Sequence, residues 1–86
     1  MAKEKRFYNY WELPDWDKTK VFISHRFMHN NKERLLIIDG NDEYIIVVPR
    51  KAGWEFVKTG DYIWITKHKT TEKRAILGFT KVDPNP

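Results

Sequence analysis

Apolar residues occur along this chain in short runs that polar or glycine-containing turns separate. Within these runs β-branched and aromatic residues cluster, and they alternate with other residues in the first and fourth runs, which is typical of strands rather than helices. The runs cover 20–28, 34–38, 43–48, 62–66 and 75–82. The pattern therefore predicts an all-β domain of five strands.

The segments between these runs carry residues that turn or end a strand. Asp39-Gly40-Asn41-Asp42 predicts a tight hairpin between the second and third strands, because glycine and asparagine tolerate positive φ. Pro49 ends the third strand, since proline has no amide hydrogen for a continuing ladder. The spacing of Trp54 and Val57 predicts one irregular or helical turn that packs on the core. Gly60-Asp61 then introduces the fourth strand.

This order of elements resembles the OB-fold family of small β-barrels. Residues 32–48 look like the family's second and third strands, and residues 57–65 look like the start of its fourth. The resemblance implies a five-stranded barrel that binds ligands on the outer face of the second and third strands, flanked by loops at 29–33 and 67–74. The connector before Gly60 is shorter than the helix that many members carry there. A barrel of the SH3-like type is therefore the alternative.

The predicted barrel covers residues 20–82, with an extension at 1–19 and a proline-containing tail at 83–86. The extension interleaves positive charge with rings, and it is either a short strand and turn or an aromatic arm across the barrel. Such a segment suits contact with nucleic acid, packing over the barrel end, or docking on another protein. Its basic and aromatic residues are Lys3, Lys5, Arg6, Phe7, Tyr8, Tyr10 and Trp11.

Composition narrows the class of protein. The 86 residues carry 16 Lys and Arg against 12 Asp and Glu, a net charge of +4 that favours polyanionic partners. No cysteine is present, so no disulfide framework or thiolate metal site is expected. No signal-peptide pattern or run of about 18 apolar residues occurs. We therefore expect a cytoplasmic monomer or homodimer that does not span a membrane.

The residues predict neither an enzyme nor a metal or cofactor site. His25 and His29 would lie about 13 Å apart on a strand, too far for one metal ion. Ser24 is the only serine and lies in no glycine elbow, and the glycines form no phosphate-binding loop. The acidic residues at 39–43 lack the spacing of a calcium loop, and a hairpin turn explains them.

Strand alternation also predicts which rings face outward. If Ile63 and Ile65 point into the barrel, Tyr62 and Trp64 point away from it. The same parity places Phe22, Ser24 and Arg26 on one outer face of the first strand, unless a bulge inverts the alternation. We assign Trp54 and Phe79 to the core.

These features together predict a non-catalytic domain that binds single-stranded DNA or RNA. Cations would contact phosphates, and outward rings would stack on bases. The predicted contact residues are Phe22, Arg26, Arg50, Lys51, Tyr62, Trp64, Lys67, Lys69, Lys73 and Arg74. The alternative function is a protein-interaction module, an adaptor or an inhibitor of a larger enzyme, that uses the aromatic N-terminal segment.

Overall fold

A computed structural model describes residues 6–82 of the chain. These residues form one antiparallel sheet of five strands, β1 (Thr19–His29), β2 (Lys32–Asp39), β3 (Asp42–Val47), β4 (Tyr62–Thr71) and β5 (Arg74–Lys81). Single-turn 3₁₀ helices lie before β1, at Tyr10–Glu12, and between β3 and β4, at Trp54–Phe56. The strand order is β3-β2-β1-β4-β5, so β1 is central. The prediction of an all-β domain with five strands is confirmed.

The first two hairpins end in two-residue turns built from residues that accept positive φ. Asn30 and Asn31 have φ of 52° and 63° between β1 and β2, and Gly40 has φ of 62° between β2 and β3. The third hairpin differs from the prediction. The resemblance implies a loop at 67–74, whereas strand pairing continues to Thr71 and resumes at Arg74. The basic segment is therefore the far end of a long β4–β5 hairpin.

Most of the core lies on one side of the sheet, although Leu36 and Ile45 are also buried, on the opposite side. Inward-facing aliphatic residues from all five strands are almost completely buried, because removing apolar surface from water stabilises the fold. They are Val21, Ile23, Leu35, Ile37, Ile46, Ile63, Ile65 and Leu77. Trp54 and Val57 of the connector cover this core, and the Trp54 ring centroid lies 4.5 Å from that of Phe79. The assignment of Trp54 and Phe79 to the core agrees with this packing.

A β-bulge at Ser24 divides β1. The register changes from Ile23 opposite Ile37 to His25 opposite Leu36, so one extra residue lies on β1. An extra residue reverses the alternation of the side chains that follow it. Arg26 therefore lies on the core side of the sheet, and the prediction that it shares the outer face with Phe22 is wrong.

The segment before β1 joins the two edges of the sheet. The Tyr8 amide donates to the carbonyl of Ile45 at 2.8 Å, and the Tyr10 hydroxyl donates to the carbonyl of Val47, both on β3. The 3₁₀ helix that includes Tyr10 also packs against β5. Within residues 6–82 no ladder pairs β3 directly with β5. Residues 8–13 thus supply the contact between these edge strands.

Two residues of the predicted extension belong to the core. Leu13 and Trp16 are each 3% exposed. The Trp16 indole donates to the Asp39 carboxylate at 2.9 Å and meets the Tyr44 ring edge-on at 5.5 Å. The folded unit therefore reaches into the segment before residue 20. Lys3, Lys5 and the predicted tail at 83–86 lie outside the described residues.

Candidate functional site

The side of the sheet opposite the core, here called the outer face, carries the exposed ring of Tyr62 and the half-buried rings of Phe22 and Trp64. Phe22 lies opposite Ile38 on β2 and opposite Tyr62 on β4, and the Phe22 and Tyr62 ring centroids are 4.9 Å apart. Tyr62 is 52% exposed, whereas the next residue, Ile63, is completely buried. Trp64 follows on the same side as Tyr62. The geometry agrees with the predicted outward direction of Tyr62 and Trp64.

Lys20 brings positive charge to these rings. It lies directly opposite Trp64, and its ammonium nitrogen is 5.2 Å from the centroid of the Tyr62 ring. Phe22, Tyr62, Trp64 and Lys20 are called the ring cluster from here on. The predicted site did not include Lys20, although the period of two along β1 places it beside Phe22. A cation beside exposed rings can meet a phosphate while a base stacks.

A shallow groove of about 340 Å³ borders the ring cluster. Its lining consists of Lys20, Gly60, Asp61, Tyr62, Lys81 and Val82. Burial alone would raise the pKa of Asp61, but the Lys58 amide and the Lys81 ammonium, 3.2 Å away, lower it below its ordinary value. The ionised Asp61 balances Lys81. Lys20 forms no ion pair with an acidic side chain among residues 6–82.

Lys67, a predicted phosphate contact, is buried by the segment before β1. Its side chain is 2% exposed, and its ammonium donates to the carbonyls of Trp11, at 3.1 Å, and Leu13. The Asp15 carboxylate lies 3.4 Å away. An ammonium has three donors, and these oxygens occupy them. Lys67 is therefore not available to a phosphate, and it holds the segment against β4 instead.

Arg26 also serves the fold. Its guanidinium donates to the carbonyls of Trp54 and Val57 at 2.8 and 2.7 Å, and to Glu33 at 2.9 Å. The hydrogen bond and charge of Arg26 lower the pKa of Glu33. These contacts fix the connector over the core. Arg26 is therefore not available as the predicted phosphate contact.

The remaining predicted cations form two groups away from the rings. Lys69, Lys73 and Arg74 are exposed at the end of the β4–β5 hairpin, here called the hairpin tip. Tyr62 and Lys69 are seven positions apart on β4, which corresponds to about 23 Å along a strand. The structure thus places the ring cluster at the base of one hairpin and the cations at its far end. Arg50 and Lys51 are exposed after β3, apart from both groups.

Among residues 6–82, no three His, Asp or Glu side chains converge as a metal site requires. The same part of the chain contains no helix of sufficient length and apolar character to cross a membrane. Comparison with protein-family models, curated proteins and solved structures found no match. Function is accordingly inferred from the chain's own residues and contacts.

Proposed function

We propose that this domain binds single-stranded nucleic acid on its outer face and catalyses no reaction. The ring cluster is the observation that carries the proposal, because Phe22 and Tyr62 lie side by side with the Lys20 ammonium above one ring. Stacking on an aromatic side chain contributes about 1–3 kcal/mol per base. Unpaired bases expose their ring faces, so such a surface favours a single strand over a duplex.

The β4–β5 hairpin supplies a path for the strand beyond the ring cluster. Trp64 and His68 follow Tyr62 on the outer face of β4, and each lies opposite an outer-face residue of β5. The path ends at the cations of the hairpin tip. Rings at one end and positive charge at the other match bases and phosphates of the same strand. These groups contact ring faces and backbone rather than base edges, so we expect little sequence preference.

Fluorescence anisotropy with labelled single-stranded DNA and RNA of about 12 nucleotides tests the proposal. We expect the logarithm of the binding constant to fall with the logarithm of salt concentration, by about 0.7 per neutralised phosphate. Tyr62→Ala should weaken binding about tenfold, whereas Tyr62→Phe keeps the ring and should bind nearly as the native protein does. Replacing Lys73 and Arg74 by alanine should flatten the salt dependence. Absence of binding at micromolar protein, or binding that ignores salt, would contradict the proposal.

Protein capture through the N-terminal aromatic segment has less support. Leu13 and Trp16 are buried, and the Tyr10 hydroxyl is bonded to β3, so these side chains serve the fold. Their contacts leave few rings of this segment for a partner.

A further inference from the structure

On the outer face, the Phe7 ring contacts two side chains of the sheet. Its centroid lies 5.0 Å from that of the His29 ring, with 25° between the two planes. The guanidinium carbon of Arg34 lies 4.6 Å from the Phe7 centroid. His29 is on β1 and Arg34 on β2, and strand register places both on the same side as Phe22. This arrangement is called the Phe7 slot.

Phe7 is weakly anchored in comparison with the residues that follow it. It is 47% exposed, whereas Leu13 and Trp16 are each 3% exposed. Its backbone makes one isolated bridge to Ile45, supported by the amide of Tyr8. The ring is therefore able to leave the slot without displacing the inward-facing core residues.

We infer that the Phe7 slot is a binding site for a nucleobase, and that Phe7 competes for it from within the chain. The inference rests on the proposed function. Stacking on an imidazole and on a guanidinium plane is how single-stranded bases are held by proteins. A nucleotide also brings a phosphate, which Arg34 and the exposed Lys32 beside His29 attract. The Phe7 ring has no negative charge for these cations to attract. It competes with a nucleotide because the chain holds it next to the slot.

The slot extends the candidate site at the end away from the hairpin tip. Beyond the bulge, His25, Phe27 and His29 occupy successive outer-face positions on the same strand as Phe22. Phe22 and His29 are seven residues apart, one of them in the bulge, so they lie about 20 Å apart along β1. A single strand that follows β1 therefore reaches both the ring cluster and the slot.

Competition from Phe7 lowers the apparent affinity by the fraction of molecules in which the slot is free. The stacking of Phe7 on His29, together with its contact to Arg34, should keep Phe7 in the slot in about nine of ten molecules. Phe7→Ala should therefore bind the labelled oligonucleotide about tenfold more tightly than the native protein. Phe7→Trp has a larger ring to stack on His29 and should bind more weakly than the native protein.

Anisotropy titrations of these variants, with thermal melts to confirm folding, test the slot. Adding His29→Ala to Phe7→Ala should cancel the gain, because the base then loses its stacking partner. The inference is overturned if Phe7→Ala binds no more tightly, or if its gain survives His29→Ala. When Tyr62→Ala weakens binding but Phe7→Ala gains nothing, the slot is wrong and the proposed function stands. When neither the native protein nor Phe7→Ala binds, the proposed function fails first and the slot fails with it.

Discussion

Replacement of Lys67 by methionine tests whether this lysine stabilises the fold or contacts the ligand. The change leaves the carbonyls of Trp11 and Leu13 without their charged donor. Each hydrogen bond to a charged group contributes about 1.5–3 kcal/mol, so two contribute about 3–6 kcal/mol. Methionine is easier to bury than an ammonium, which offsets part of this loss and leaves a net cost of about 2–4 kcal/mol. Asp15 is 93% exposed, so its ion pair adds little.

Urea unfolding followed by tryptophan fluorescence measures this cost. In a domain of this size, 1 kcal/mol shifts Tm by about 4–8 °C, so in thermal melts we expect Lys67→Met to unfold about 8–32 °C below the native protein. Lys69→Met, two positions along the same strand and exposed, is the control. It should change the free energy of unfolding by no more than about 0.5 kcal/mol while weakening oligonucleotide binding. A Lys67→Met protein of native stability that binds as weakly as Lys69→Met would refute the structural role.

Three further predictions concern stability. Gly60 has φ of 95°, so Gly60→Ala should lower the free energy of unfolding by about 1–2 kcal/mol. Gly78→Ala places its new methyl group in open space and should raise the free energy of unfolding by about 0.5 kcal/mol. Urea unfolding curves of the two variants measure these changes. Trp16→Phe loses the bond to Asp39 and part of a buried ring, which should cost about 1–3 kcal/mol in the same measurement. Burial raises the pKa of Tyr10 to about 12. The unfolded chain loses the Tyr10 proton first, near pH 10, so the free energy of unfolding should fall as pH rises from about 10 to 12. In Tyr10→Phe, the free energy of unfolding should decrease less steeply over the same pH range.

The strands and outward rings were predictable because alternation is a local property. Ile63 and Ile65 could be assigned to the core and Tyr62 to the outer face from five consecutive residues. The same reasoning failed for Arg26, because an extra residue at Ser24 reverses the alternation, and no residue type near it marks a bulge.

The role of Lys67 was beyond prediction for a different reason. Its acceptors are backbone carbonyls 54 and 56 residues earlier in the chain, and carbonyls are present at every position. In the sequence, Lys67 and Lys69 belong to one basic run, and each lies between a threonine and His68. Only the packing of the segment before β1 makes one a buried anchor and leaves the other exposed. Charge patterning therefore identified a basic segment but could not divide it into structural and accessible lysines.

The segment before β1 combines closure of the sheet with occupancy of the Phe7 slot, and truncations at two points separate these roles. Removing residues 1–16 deletes Leu13 and Trp16 from the core, so loss of ligand binding by that protein would report unfolding. Replacing residues 1–7 by an initiator methionine keeps the Tyr8 amide, and every later bond of the segment, in place.

We expect the shorter truncation to keep the native melting temperature within about 4–8 °C, equivalent to 1 kcal/mol, and the longer one to lose cooperative melting. The shorter truncation should also bind oligonucleotide more tightly than the native protein. Its gain should be smaller than that of Phe7→Ala, because it removes Lys3, Lys5 and Arg6 as well as the competing ring. If removal of residues 1–7 destabilises the domain as much as removal of 1–16, then Phe7 is a closure residue, and a nucleobase could not displace it without partial unfolding.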